Sequence, residues 1–277
     1  MDFLIFMSAP FVMSLVLVGI HAYLGIHVLT RGVIFVDLAL AQISALGAAA
    51  AVLMGYELDS AGAYFFSLLF TFAGAAVFSM TRVRHEHIPQ EAIIGIAYAV
   101  AAAAVILVMD RAPHGAEHIK DLLVGSILFV TWPTVIKTAA IYSAISLFHW
   151  FFREKFLLIS LDPEKALGQG VSLRRWDFLF YASFGLVITV SVQIAGVLLV
   201  FSFLIVPAVG GVLFSNRLFV RLALGWLIGV VVSIIGCSLS YGLNLPTGAT
   251  VVCTFGLALV ACALGKQIRT AISRKAE

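Results

Sequence analysis

Long apolar runs dominate this sequence and restrict the folds that it can adopt. Stretches of about 20 apolar residues recur along the chain, and a helix of that length crosses a hydrocarbon core about 30 Å thick. Of the 277 residues, 62% are hydrophobic and 11% are charged, whereas a typical soluble domain carries about 25% charged residues. A water-soluble fold is therefore excluded, and the chain is predicted to be an all-α, polytopic membrane protein.

The apolar runs predict a bundle of eight to nine transmembrane helices in a single domain, residues 1–277. Backbone polar groups cannot be left unpaired in lipid, so each span must be a helix. A shorter run, residues 122–133, cannot cross alone and is predicted to be re-entrant or half-buried. The predicted spans lie near residues 5–28, 33–54, 61–80, 92–109, 134–152, 177–193, 196–214, 222–242 and 249–265.

The distribution of lysine and arginine predicts the orientation of these spans. If residues 153–177 are cytoplasmic, 14 of the 17 cations lie inside and Arg111, Lys120 and Lys137 lie outside. Short cytoplasmic loops carry such an excess of Lys and Arg. We therefore expect a multi-pass protein with a cytoplasmic C-terminus.

Composition and motifs exclude several function classes. The net charge of +3 is spread over short clusters instead of one basic face, which does not indicate nucleic-acid binding. Cys237, Cys253 and Cys262 lie in apolar stretches without metal-binding spacing. Walker A, HExxH and GxSxG patterns do not occur in the sequence. We expect no enzyme activity from this chain itself.

Polar side chains inside the first predicted hairpin are candidate metal ligands, since ionisable groups within spans are costly. His27 and Asp37 lie at similar offsets from a turn at Arg31, and His21 and Gln42 lie at similar offsets farther away. Equal offsets in a hairpin mean similar depth, because each helical residue rises about 1.5 Å. Nitrogen and oxygen donors of this kind suit zinc or manganese.

Other interpretations of these four residues stay open. Residues 21 and 27 differ by about 240° around a helix and residues 37 and 42 by about 140°, so the four side chains cannot share one axis unaided. Asp37 pairing with Arg31, and either histidine bonding a carbonyl group, are alternatives.

A second group of candidate ligands lies in a predicted extracellular loop. His114, Glu117 and His118 lie close together, with the histidines one helical turn apart if the segment is helical. Such a pair could collect cations at a pore entrance. A solvated loop without a metal role is the alternative.

The longest polar stretch, residues 153–177, predicts a short helix outside the bilayer. Asp162 can cap a helix that has Pro163 at its first position and Glu164 beside the positive end, with Gly168 or Gly170 ending it. Either a solvated connector or a docking helix for a cytoplasmic partner fits this pattern.

Four segments together resemble the permease subunits of ABC transporters that import zinc, manganese or iron(II). They are RGVIFVDLALAQISALG, LDPEKALGQGVSLRRWD, IAGVLLVFSFLIVPAVGG and LNLPTGATVV, in this order across almost the whole chain. The resemblance implies a permease homodimer in a bacterial inner membrane. It implies two cytoplasmic ATPase subunits and a periplasmic or extracellular metal-binding protein as partners.

The resemblance also implies site residues. The loop at 153–177 corresponds to the helix that couples the permease to the ATPase, with the coupling role carried by Asp162, Pro163, Glu164, Ala166, Leu167 and Gly168. The second helix departs from the family pattern D-T-L-A-H-A-S. Aligned on Ser44, Gln42 takes the histidine position and Leu38 the aspartate position. We hypothesise that His21 and His27 supply the lost nitrogen ligand.

These expectations predict an ATP-driven importer of divalent metal ions, with zinc or manganese as transported cargo and no permanently bound cofactor. An importer of a metal chelate or a vitamin B12-like cargo is one alternative. A secondary metal transporter that works without ATP is another.

Overall fold

A computed structural model describes residues 3–58, 60–82, 88–112, 125 and 127–276. These residues form ten α-helices and one 3₁₀ turn, Ile127–Phe129, with no strand among them. The helices are α1 Phe3–Arg31, α2 Val36–Leu53, α3 Ala61–Thr81, α4 Gln90–Met109, α5 Trp132–Phe151, α6 Arg153–Leu161, α7 Pro163–Gly168, α8 Leu173–Phe214, α9 Leu218–Leu243 and α10 Thr247–Ala276. The predicted all-α class is confirmed.

Seven of the described helices are long and apolar enough to cross a membrane: α1 to α4 and α8 to α10. Helix α5 meets this criterion together with α6, and the two are bent by 73° at the break between them, so the pair would make an eighth span. The predicted polytopic bundle is therefore confirmed. Helix α7 is a separate helix of 6 residues, too short to span.

Two predicted spans, 177–193 and 196–214, lie within the single 42-residue helix α8. We expected a turn between these two spans, after Ser191 and Gln193, and the helix is interrupted at Gly196, next to that boundary, where φ is 75° and ψ is 161°. The Ser191 hydroxyl donates a 2.7 Å hydrogen bond to the Val187 carbonyl of its own helix. A serine whose hydroxyl bonds to a carbonyl of its own helix does not interrupt that helix. Glycine tolerates the positive φ seen at position 196.

The chain divides into two compact units, each described separately. The central unit comprises residues 30–125 and 140–197. Within it α2 packs against α3 and α4, and the Thr71 and Thr189 hydroxyls join α3 to α8 through a 3.0 Å hydrogen bond. Small residues of α2 allow close approach, since a Cβ on Gly47 would overlap the Phe66 backbone.

The terminal unit comprises residues 1–29, 126–139 and 198–277. Helices α9 and α10 pack together and are joined by a turn in which Asn244 has a left-handed φ of 52°. The Ser240 and Thr247 hydroxyls form a 2.8 Å hydrogen bond across this turn. Trp226 of α9 donates its indole N–H to the Gly19 carbonyl of α1 at 2.9 Å.

The predicted re-entrant segment, 122–133, is partly outside the described residues. Its described part contains Gly125, the 3₁₀ turn and the start of α5 at Trp132. A single turn of helix is far shorter than the roughly 20 residues that crossing requires. Re-entry into the membrane stays a prediction.

Candidate functional site

Asp37 is a buried carboxylate at the start of an apolar span. It lies in the first turn of α2, whose N-cap residue, Phe35, makes no side-chain capping bond. The residue is 2% exposed, and its Oδ1 atom has no hydrogen-bond partner among the described residues. The positive helix end stabilises a carboxylate there, but a buried oxygen without a partner still costs several kcal/mol. Such a group is a functional candidate.

Glu91, which was not singled out from the sequence, binds the backbone at the start of the same helix, two residues before Asp37. It occupies the first turn of α4, and its Oε1 accepts a 3.0 Å hydrogen bond from the backbone N–H of Phe35. Its Oε2 is buried without a hydrogen-bond partner among the described residues. The Phe35–Glu91 bond places Glu91 at the start of α2, and Asp37 lies in the first turn of that helix. In the sequence, the signal for Glu91 was an acid at the start of a long apolar run.

Asp37 and Glu91 each have a buried carboxylate oxygen without a hydrogen-bond partner among the described residues, and such acids are candidate ligands for a cation. Like charges close together in a poorly solvated place repel, and a bound cation or proton relieves that repulsion. Carboxylate oxygens are hard ligands that suit manganese or magnesium better than soft metals. Within the described ranges, no three His, Cys, Asp or Glu side chains form a group that could hold a metal.

His21 and His27 are both buried on α1 in the terminal unit. The Nδ1 atom of His21 lies 2.7 Å from the Leu17 carbonyl of its own helix. His27 packs edge-to-face with Tyr23, with ring centroids 4.7 Å apart. The Leu17 contact matches the alternative in which a histidine bonds a backbone carbonyl.

Gln42 is also buried, at 8% exposure, on α2 in the central unit. The predicted pairs of His27 with Asp37 and of His21 with Gln42 stay predictions. The Arg31–Asp37 pair that was an alternative is not formed, because Arg31 pairs with Asp177. The predicted loop site of His114, Glu117 and His118 lies outside the described residues.

The predicted short helix in the polar loop is present as α7, with the predicted start and end. The Asp162 carboxylate accepts a 2.9 Å hydrogen bond from the Lys165 backbone N–H, and Pro163 occupies the first turn. After Gly168 the chain leaves the helix, and Gly170 has a φ of +75°. A proline at the start and a glycine after the end are typical of short, well-defined helices.

Among the predicted coupling residues, Ala166 differs in burial from Asp162, Glu164 and Gly168. Ala166 is fully buried and packs in a cluster with Ile159 and Val171, supported by Leu158 and Trp176. It therefore cannot present a docking surface and instead attaches α7 to α6 and to the start of α8. Asp162, Glu164 and Gly168 are exposed.

A network of ion pairs and hydrogen bonds involves residues on both sides of α7 along the chain. Arg31, the last residue of α1, and Arg82, directly after α3, both bind Asp177 in α8, each with an N–O distance of 2.7 Å. The side chains of Arg31 and Asp177 are 1% and 0% exposed, and Arg82 is 20% exposed. The signal for Asp177 in the sequence was an acid directly before a long apolar run.

The network extends to the residues before α7. Arg31 Nε donates a 2.8 Å hydrogen bond to the Ser160 hydroxyl, and Arg82 Nη2 donates a 3.4 Å bond to the Ile159 carbonyl. The Arg31 guanidinium also stacks over the Phe180 ring, 3.9 Å from its centroid. Each arginine therefore contacts both flanks of α7, one at the end of α6 and the other at the start of α8.

The apolar spans, the buried carboxylates within them and the capped helix between two spans define a membrane transport protein. Residues 4–265 match the ABC 3 transport family. The chain belongs to this family.

Curated relatives cover most of the chain. It is 27% identical over 252 residues to "Manganese transport system membrane protein MntC" of Listeria monocytogenes, covering 89% of this chain and 86% of the relative. It is 25% identical over 240 residues to "Chelated iron transport system membrane protein YfeC" of Yersinia pestis, covering 86% and 79%.

Solved structures share the fold. The chain is similar to a chain of "PsaBC from Streptococcus pneumoniae in complex with Fab", with a TM-score of 0.75, 24% identity, and coverage of 93% of this chain and 90% of that chain. A second similar structure is titled "An inward-facing conformation of a putative metal-chelate type ABC transporter", with a TM-score of 0.70, 19% identity, and coverage of 92% of this chain and 85% of that chain.

Proposed function

We propose that this chain is the membrane permease of an ATP-driven importer of divalent transition-metal ions, with manganese or zinc as cargo. The observation that carries the proposal is the Asp37 carboxylate, which is buried at the start of an apolar span with an unpartnered oxygen, two residues after the Phe35 N–H that Glu91 binds. Intramembrane ionisable residues of this kind mark ion pathways.

Manganese is the cargo that the donor set favours. Two carboxylates provide hard oxygen ligands, and manganese accepts oxygen-rich coordination more readily than zinc, which prefers nitrogen and sulfur. Relatives named for manganese transport support the same choice. His21, His27 and Gln42 then serve as further nitrogen and oxygen ligands along the pathway.

A metal chelate is the competing cargo, because one relative is named for chelated iron transport. A buried pair of carboxylates offers direct ligands to a bare cation, whereas a chelated metal has its ligands already supplied. A bare-cation cargo therefore predicts lower uptake when the Asp37 charge is removed, whereas a chelate cargo predicts unchanged uptake.

The proposed partners are two cytoplasmic ATPase subunits, a second copy of this chain and an extracytoplasmic metal-binding protein. Helix α7 is the proposed ATPase contact, with the exposed residues Asp162 and Glu164 available for docking. The arginines that bind Asp177 bring the Arg31 turn, the end of α3 and the 153–177 segment together. This supports a location of all three segments on the same side of the membrane, which the positive-inside rule assigns to the cytoplasm.

The proposed mechanism is alternating access. ATP binding closes the ATPase dimer, the coupling helices move, and the permease dimer opens outward to accept one cation. Hydrolysis returns the permease to its inward-open state and releases the cation to the cytoplasm. A few carboxylate, imidazole and amide groups bind weakly enough to let the ion leave again.

The test is metal uptake by the permease reconstituted in proteoliposomes with its ATPase and its binding protein. The Asp37→Asn and Glu91→Gln variants are compared with matched controls at exposed acids, Asp110→Asn and Glu57→Gln. We expect Mn²⁺ uptake to fall in the first two variants and to stay at the parental level in the controls. Parental uptake of Mn²⁺ and Zn²⁺ in both site variants would refute a bare-ion pathway at these residues.

A further inference from the structure

We propose that Asp177 is a positioning residue that transmits movement of helix α7 to the ends of α1 and α3. The inference rests on the proposed function, since it takes α7 as the contact for the ATPase. It adds a specific connection between that contact and the metal pathway.

The first step is that α7 is packed firmly onto its neighbours. Ala166 of α7, Ile159 of α6 and Val171 form one buried cluster, with Leu173 and Trp176 packed against it. Buried side chains at interior packing density leave little room for independent motion. A displacement of α7 therefore carries the end of α6 and the start of α8 with it.

The second step is that both flanks are held by the same two arginines. Arg82 Nη1 donates to both carboxylate oxygens of Asp177 at 2.7 Å, and Arg31 Nη1 donates to one of them at 2.7 Å. The same side chains bind Ser160 and the Ile159 carbonyl on the other flank. A movement of either flank consequently pulls on both guanidinium groups.

The third step is that water cannot easily replace the ion pairs between Asp177 and the two arginines. Asp177 is fully buried and Arg31 almost fully, so separating them would leave uncompensated charges in a poorly solvated place. Moving the helix ends together with the loop is easier than breaking the network. In this cluster of described side chains, Asp177 is the one anion for two arginines, Arg31 and Arg82. The cluster therefore carries an excess of positive charge.

The fourth step links the network to the candidate metal ligands. Arg31 ends α1 and is followed by a short turn that starts at Gly32, where φ is +68°. The turn leads to Phe35, whose N–H binds Glu91, and to Asp37 in the first turn of α2. Only five residues lie between Arg31 and Asp37. A pull on Arg31 therefore reaches the carboxylate pair directly along the chain.

The experiment measures coupling in the full complex of permease, ATPase and binding protein in proteoliposomes. The readout is the number of Mn²⁺ ions taken up per ATP hydrolysed. Arg82→Gln is the main variant, because it removes one of the two arginines that bind Asp177 and leaves the Arg31–Asp177 ion pair intact. We expect it to bind the ATPase subunit normally and to hydrolyse ATP, with a coupling ratio lowered about tenfold, a typical size for coupling between sites.

Further variants separate coupling from folding. Asp177→Asn leaves the Arg31 and Arg82 guanidinium groups without their counterion and is expected to have a lower coupling ratio than Arg82→Gln. Arg82→Lys keeps the charge without the planar geometry and is expected to be intermediate. Arg217→Gln, at an exposed arginine of the terminal unit, is the control and is expected to match the parent.

A parental coupling ratio in Arg82→Gln would overturn the inference. So would a loss of uptake that is fully explained by a lower amount of assembled complex, because that is the effect of a purely structural role. Failure of the proposed function is a separate result, since the parental complex would then take up no metal or would not bind an ATPase subunit.

Discussion

Glu91 accepts a hydrogen bond from the backbone N–H of Phe35 at 3.0 Å, and this bond joins the start of α4 to the start of α2. The N-terminal N–H groups of a helix have no partners within the helix, and Phe35 has no capping side chain of its own. Glu91 therefore has a structural task in addition to its proximity to Asp37.

Replacing Glu91 by glutamine or alanine separates these two tasks. Glutamine retains an oxygen acceptor for the Phe35 N–H, so Glu91→Gln is expected to change the free energy of unfolding by less than about 0.5 kcal/mol. Glu91→Ala loses the capping bond and is expected to be about 1 kcal/mol less stable. Both variants lose the carboxylate and are expected to lower Mn²⁺ uptake. Thermal unfolding in detergent and uptake in proteoliposomes measure the two effects, and normal uptake with Glu91→Gln would assign Glu91 a capping role only.

The close contact between α2 and α3 depends on Gly47. A Cβ atom at this position would overlap the Phe66 carbonyl, so Gly47→Ala must push the two helices apart. We expect a loss of about 1–3 kcal/mol, as for overpacking in a core. Gly95 of α4 is the matched control, because a Cβ there meets no described atom within 4 Å. Gly95→Ala is expected to be neutral or to stabilise by up to about 1 kcal/mol. Denaturant unfolding compares the pair, and equal effects would contradict the close contact.

The N-cap of α7 is expected to be necessary for ATPase binding. Asp162→Ala removes the 2.9 Å bond to the Lys165 N–H, which is expected to destabilise the short helix by about 1 kcal/mol. Asp162→Asn keeps a capping oxygen without the charge. We expect Asp162→Ala to weaken co-purification of the ATPase subunit more than Asp162→Asn does. An equal loss in both variants would instead indicate that the charge contacts the partner directly.

The break in α8 is expected to depend on glycine. Gly196 has φ 75° and ψ 161°, a conformation that other residues adopt only with strain. Gly196→Ala is expected to destabilise the protein by about 1–3 kcal/mol. Gly168→Ala is the control, since Gly168 lies in α7 with nothing described within 4 Å of a built Cβ. Similar thermal unfolding temperatures for both variants would argue against a specific role of the break.

Much of the helical framework was predictable because its physical cause is local. Apolar length sets the spans, and a polar stretch with a capping aspartate and a proline sets α7 at Pro163–Gly168. The break within α8 falls at Gly196, next to the predicted boundary between the spans 177–193 and 196–214, whereas Ser191 bonds its hydroxyl to its own helix and does not interrupt it.

The candidate site was predictable only in part. Asp37 stood out as a charge within an apolar run, and it is buried as expected. Glu91 did not stand out, because its proximity to Asp37 comes from the packing of α4 against α2, residues separated by more than 50 positions. Ala166 was assigned to a docking surface by its position in a motif, although packing places it underneath the helix.

The sequence by itself determined that this protein lies in a membrane, which stretches form apolar helices, and which short helix lies between two of them, since hydrophobic length and helix capping act over neighbouring residues. Only the tertiary structure decided which charges meet. Arg31, Arg82 and Asp177 come from three distant parts of the chain and form one buried cluster. Their pairing follows from helix packing in three dimensions, because buried charges need counterions and the nearest counterion in space is not the nearest in sequence.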